Sequence, residues 1–167
     1  MKNTGADKVM NWKEVTENPN LQNLPFKIEL NEYGQIVMNP VKLNHSVYQG
    51  EIGYLLRSLN PDGKVLAECA VWTRKGTKVA DVAWFSNELW KTQKGKAEAT
   101  TAPEICVEVL SISNSTDEMK EKRKLYFEQG AKEVWICDEY GNISFYSQKR
   151  KLAKSKMFSE FPIKIEI

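Results

Sequence analysis

Apolar and polar positions change rhythm several times along this 167-residue chain, and each change marks an element. Trp12 and Val15 suggest a short helical turn in a polar leader. Phe26-Lys-Ile-Glu-Leu30 then alternates with period two, the pattern of a half-buried strand. A turn at Glu32-Tyr-Gly34 and a return over Gln35-Ile-Val-Met38 complete a hairpin that Pro40 ends. The period lengthens next. Tyr48, Ile52, Leu55, Leu56 and Leu59 recur at helical spacing, with Asn44 as the expected cap and Asn60-Pro-Asp-Gly63 as the stop.

Two continuous apolar runs follow, Val65–Trp72 and Val79–Phe85, joined by Arg74-Lys-Gly76; an antiparallel hairpin is expected. From Ser86 to Pro103 periodicity is lost. A loop that long is often functional, so it is expected to flank the active site. The run Ile105–Leu110 is a strand. Ser115 and Glu118 stand at capping-box spacing, which starts a helix that reaches about Gln129, with Gly130 past its end. Val134–Cys137 and Ile143–Phe145 are strands around an Asp138–Asn142 turn, and Ile163, Ile165 and Ile167 suggest a C-terminal edge strand. Strand 105–111, helix 115–129 and strand 134–138 form a β-α-β unit, which implies a right-handed parallel crossover. The whole reads as one α/β (α+β) domain over residues 1–167: a central mixed sheet flanked by helices, with an N-terminal β-hairpin.

Composition narrows this little. Hydrophobic residues are 41% and charged residues 28%, as in ordinary soluble domains. The first residues lack the apolar core of a leader peptide and no run approaches membrane-spanning length, so no membrane role and a cytoplasmic location are expected. Cys69, Cys106 and Cys137 lie far apart in apolar runs with no CxxC pair; reduced core thiols are expected, not a zinc site. The net charge of +2 does not announce a nucleic-acid binder. Two basic clusters stand out, Lys149-Arg-Lys151 with Lys154 and Lys156, and Lys91, Lys94 and Lys96, but neither carries a DNA-binding claim alone.

The chemistry lies in two carboxylates set inside apolar runs, Asp81 and Glu108. Burying such a pair is costly unless something neutralises it, and a divalent cation held by oxygen ligands does so economically. Glu108 alternates to the same side as Cys106 and Leu110; if Asp81 points that way from a neighbouring strand, both reach one Mg²⁺ or Mn²⁺ ion. Lys122 lies on the following helix, on one face with Glu118 and Tyr126. This arrangement suits phosphodiester hydrolysis. The plainer reading, surface-edge carboxylates or a structural ion pair, stands beside it. His45 is the single histidine, which rules out histidine-rich metal sites and a histidine triad around Ser111, Ser113 and Ser115. It reads as a helix-start residue first and a substrate contact second. No glycine-rich nucleotide loop is present.

Asp81, with Glu108-Val-Leu-Ser111 following at a spacing of 27, then Glu121-Lys-Arg-Lys-Leu-Tyr126 and Glu133-Val-Trp-Ile-Cys-Asp138, resembles the Uma-type restriction-endonuclease family of the PD-(D/E)XK superfamily. Phe26–Leu30, Gly34-Gln-Ile-Val-Met38 and His45 fit the same pattern, so the likeness runs nearly the full length. The resemblance implies a restriction-endonuclease-like core with Asp81 and Glu108 as metal ligands. Ala80 replaces the motif's proline, and Leu110 stands where the E-x-K lysine would fall. The resemblance places that lysine on the helix instead, as Lys122, between Lys120 and Lys124. It also makes Glu51 on the first long helix, Glu68 on the strand before Asp81, and His45 possible accessory residues. The expected function is metal-dependent endonucleolytic cleavage of DNA. The alternatives are a non-catalytic nucleic-acid or protein binding module on a degenerate nuclease fold, and a phosphodiesterase acting on RNA or a small nucleotide. The isoleucines of 163–167 would suit a homodimer.

Overall fold

The computed structural model describes residues 9–167; the reading of the first eight residues lies outside them. Asn11 caps α1 (Trp12–Glu17) in a reciprocal capping box with Glu14. A 3-10 turn over Pro19–Leu21 leads to the hairpin β1 (Phe26–Leu30) and β2 (Ile36–Pro40), a two-stranded antiparallel sheet of its own. Helix α2 (Leu43–Leu59) follows, then β3 (Gly63–Val71), β4 (Lys78–Ser86), α3 (Asn87–Gln93), β5 (Ile105–Val109), α4 (Thr116–Glu128), β6 (Glu133–Cys137), β7 (Ile143–Tyr146) and the two-residue β8 (Lys151–Leu152).

Strands β3 to β8 lie side by side in chain order as one mixed sheet. Its single parallel pair is β5 with β6, and α4 makes the expected crossover between them. Alternation along each strand splits the core into two layers. Tyr48, Ile52 and Leu56 of α2 pack with Val82, Trp84, Val107 and Trp135 on one face. Tyr126 of α4 packs with Ala83, Phe85, Cys106 and Val134 on the other. Cys69, Cys106 and Cys137 are free and buried, as their apolar surroundings implied. No helix among the described residues is long and apolar enough to cross a membrane.

Three expectations change. Helix α2 begins at Leu43 with Lys42 as its cap residue and no side-chain cap bond, so Asn44 lies inside the first turn; that turn is solvent-exposed, and water can serve its amides. The stretch after Ser86 is not patternless loop. Ser86 accepts a hydrogen bond from the Leu89 amide and starts α3, whose Trp90 packs on Phe85 with ring centroids 5.6 Å apart. A seven-residue helix is too short to display a period. The rest of that stretch is tied down as well: the Ala99 amide bonds the Ala70 carbonyl at 2.8 Å, and the Ala102 amide bonds the Gln129 carbonyl at 2.9 Å. Finally, residues 163–167 form an isolated bridge, Asn142 with Lys164, rather than a strand. Only Ile165 of the three isoleucines is buried, while Ile163 and Ile167 face outward.

Candidate active site

The site exists because two neighbouring strands part company. β4 and β5 pair only over Val82–Trp84 and Ile105–Val107. One residue further, Asp81 and Glu108 face each other across the opening, on the α4 side of the sheet. Asp81 closes part of the gap with its side chain: Oδ2 accepts the Val109 amide at 2.7 Å, a bond that regular pairing would have given to the β4 backbone.

Strand β1 fills the rest. The Leu30 amide donates to the Thr77 carbonyl at 2.9 Å, and Glu29 Oε1 accepts the Val79 amide at 2.8 Å. This docking turns the alternation of β1 the unexpected way. Lys27 and Glu29 are buried, whereas Phe26 is 42% exposed. Lys27 Nζ then lies 2.9 Å from Asp81 Oδ1 and 3.3 Å from Glu108 Oε2. From above, α4 lowers Lys122 to 2.8 Å from Glu29 Oε1 and 3.2 Å from Glu108 Oε2, and Tyr126, one turn on, donates its hydroxyl to Glu108 Oε1 at 2.6 Å. From α2, His45 Nε2 approaches Asp81 Oδ2 at 3.3 Å. A carboxylate only accepts, so Nε2 carries the proton; among the described residues, the buried His45 Nδ1 has no hydrogen-bond partner.

Three carboxylates and two ammonium groups therefore share one buried cluster. It is one positive charge short of balance when His45 is neutral. Burial opposes every one of these charges, and what distinguishes them is the company each keeps. Burial pushes the Asp81 carboxyl up, but the His45 hydrogen bond and the Lys27 ammonium outweigh it and hold the group at about 2. Glu29 is likewise held below the usual carboxylate range against burial, by Lys122 and Lys27. For Glu108 burial prevails over the two lysines, with repulsion from Asp81 and Glu29 adding to it, and its carboxyl is raised. Both lysines lose by burial and regain more from the surrounding carboxylates, so both are raised and stay charged. The Tyr126 phenol is pushed well up by burial and by Glu108. Glu108 is thus the weak acid of the group. A cavity of roughly 20 Å³, about the room of one water, lies against the cluster between Asn39, His45, Ser111 and Asn114.

Asp81, Glu108, Lys122 and His45 are thus brought together from four separate elements. Glu51 and Glu68 are not: both are exposed and neither lines the cavity. The stretch 86–103 contributes nothing to its wall either. Lys27, Glu29 and Tyr126 are the participants that sequence reasoning missed. Tyr126 had a signal, its shared face with Lys122 four residues earlier. Lys27 and Glu29 looked like the wet side of an amphipathic strand.

No curated protein matches the chain. Among solved structures, a protein from Anabaena variabilis ATCC 29413, described as a "putative nuclease belonging to DUF820", superposes with a TM-score of 0.72 at 17% identity, covering 90% of this chain and 91% of that one. At that identity the likeness speaks for the fold. The family model named Uma2, described as "Putative restriction endonuclease", matches residues 12–157. That span takes in every side chain of the buried cluster and most of the chain's length, and this protein belongs to the Uma2 family.

Proposed function

We propose that this protein is a divalent-metal-dependent nuclease that hydrolyses phosphodiester bonds in DNA at the Asp81–Glu108 cluster. One observation carries the reading. Two carboxylates face each other across a strand opening with a cation, the Lys27 ammonium, held between them. A divalent ion held by Asp81 and Glu108 would supply the positive charge that this ammonium supplies to the same two carboxylates. The donors are hard oxygens, suited to Mg²⁺ or Mn²⁺, and Mg²⁺ is commonly held by one or two carboxylates with water and substrate oxygens completing its shell. The fit requires Lys27 to give up its place. Among the described residues no group of three or more His, Cys, Asp or Glu side chains is arranged for a metal, so two protein carboxylates, with the neighbouring Val109 carbonyl, would be the ligands.

A bound ion would polarise a phosphate oxygen and acidify a water. The protein's own groups supply the rest. Lys122 is held charged by Glu29 and Glu108, which suits a donor that orients the attacking water and stabilises negative charge on the phosphate. Glu29 aims that ammonium. Tyr126 fixes the rotamer of Glu108, and His45 with the Val109 amide fixes Asp81.

The test is purified protein incubated with supercoiled, linear, single-stranded and branched DNA in Mg²⁺ or Mn²⁺, beside Asp81→Ala and Lys122→Ala. Metal-dependent nicking in the wild type, lost in both folded variants, is expected. Cleavage undiminished in both would remove the proposed site. A second reading, a binding module on a nuclease fold without turnover, draws on the same Lys27 ammonium, which neutralises the carboxylates without any metal. Calorimetry showing no Mg²⁺ or Mn²⁺ affinity, with or without DNA, would favour it.

A further inference from the structure

The outer flank of α4 carries a second feature that the buried cluster does not use. A groove of about 440 Å³ runs between α4 and the β7–β8 hairpin. Lys120, Arg123 and Lys124 line it from the helix, and Lys149, Arg150 and Lys151 from the hairpin. The sequence places these two sets some 25 positions apart, and the fold brings them face to face. Six cations against one carboxylate, Glu128, exceed the +2 of the whole chain, so the remainder of the molecule is net negative. Surfaces usually intersperse the two signs; this one segregates them.

The cations are also uncommitted. Glu128 is engaged by Arg74 at 2.8 Å. Among the described residues only Lys120 of the six has a carboxylate within ion-pair distance, Asp117 at 3.7 Å. Arg123 is held in a particular pose instead. Its guanidinium stacks on the Tyr146 ring, 3.8 Å from the centroid, and Lys151 lies 5.8 Å from the same centroid. Stacking uses the face of the guanidinium and leaves its in-plane N–H groups free for the paired oxygens of a phosphate.

We infer that this groove is a docking site for the nucleic-acid backbone, gripping phosphates that flank the cleavage position. The inference rests on the nuclease reading for its choice of anion. The geometry adds that grip and cleavage share one helix: Lys122 and Tyr126 point into the sheet, while Lys120, Arg123 and Lys124 line the groove. An α-helix with its side chains is about 10–12 Å across, so one strand of nucleic acid can meet both sides of α4.

The experiment is fluorescence anisotropy of labelled duplex DNA without divalent metal, across a salt series. The proteins are wild type, Arg123→Glu, the exposed-turn double variant Lys149→Glu/Arg150→Glu, and Lys91→Glu as a basic control elsewhere. Binding should weaken at least tenfold at low salt in both groove variants and hardly at all in the control. The slope of log affinity against log salt should also flatten by about one for each phosphate that the variant no longer neutralises. Groove variants that bind like the wild type, or a wild type with no affinity for DNA, would overturn the inference. So would groove variants that lose only binding to phosphatidylserine vesicles, which would make the partner a membrane surface. The two readings fail separately: cleavage that persists unchanged in the groove variants removes the groove alone. Groove-dependent binding without any cleavage removes the nuclease reading and leaves the groove.

Discussion

Lys27 and Asp81 come from different sheets and meet with 2.9 Å between Nζ and Oδ1, inside the protein. The same ammonium reaches Glu108, so one lysine of the hairpin sits on both carboxylates proposed to hold metal. Removing it should therefore do two opposite things. Lys27→Met leaves three buried carboxylates with one ammonium, which should cost about 3–5 kcal/mol of stability. It should also vacate the cation position, so Mn²⁺ should bind at least tenfold more tightly by calorimetry and raise the melting temperature of the variant more than that of the wild type. Weaker or unchanged Mn²⁺ affinity would show that Lys27 does not compete with metal.

Acid should act through Asp81. Its folded value of about 2 lies below the ordinary unfolded value of about 3.9. A depressed carboxylate adds stability above the unfolded value and loses it as pH falls through the folded one. Glu29 is shifted the same way, whereas the raised Glu108 works in the opposite sense. Wild type should thus be more stable than Asp81→Asn at neutral pH, with the gap closing between about pH 4 and pH 2. Thermal melts at several pH values read it directly, and a gap that does not change with pH would contradict the assignment.

Tyr126→Phe keeps the ring in the core and deletes the hydroxyl that donates to Glu108 at 2.6 Å. A buried carboxylate oxygen then loses its donor, at about 1–3 kcal/mol. Denaturant unfolding should show that loss, and cleavage should fall because Glu108 is no longer held in one rotamer. A variant as stable as the wild type would mean that water replaces the phenol.

Gly76, in the turn between β3 and β4, packs directly against the end of β1. Its φ is +83°, and a Cβ there would collide with the carbonyl oxygens of Leu30 and Asn31. Gly76→Ala combines left-handed strain with that clash, for a loss of about 2 kcal/mol or more. The effect should exceed that of Gly50→Ala, where a Cβ meets nothing within 4 Å and a helix gains propensity.

Much of this arrangement was legible in the chain. Asp81 and Glu108 stood out because carboxylates inside apolar runs demand a partner, and the Ser115 capping signal fixed where the helix bearing Lys122 begins. The apolar rhythm also gave the strands and the parallel crossover. Lys27 and Glu29 stayed hidden for a physical reason. Alternation tells that a strand has two faces, and hydrophobicity then assigns the apolar one inward. In β1 the inward face meets other charges, not a greasy layer, so the rule inverts. Only the partners' positions, set by residues 50 and more away in sequence, reveal it. The 87–93 helix escaped because a single exposed turn or two carries no period, and Glu51 and Glu68 were placed near the site by likeness alone.

The hairpin is a separate two-stranded sheet, hydrogen-bonded to the main one chiefly where Leu30 meets Thr77 and Glu29 meets Val79. Its release would strip Lys27 and Glu29 from the cluster while leaving β3 to β8 whole. Partial openings occur at free energies that range from near zero up to that of global unfolding, and an element held by few hydrogen bonds belongs toward the lower end. Amide hydrogen exchange should then find the Leu30 and Val79 protons exchanging together and ahead of those in β5 and β6. The buried charge cluster, held in part by that hairpin, would then come apart on warming before the sheet that carries Asp81 and Glu108.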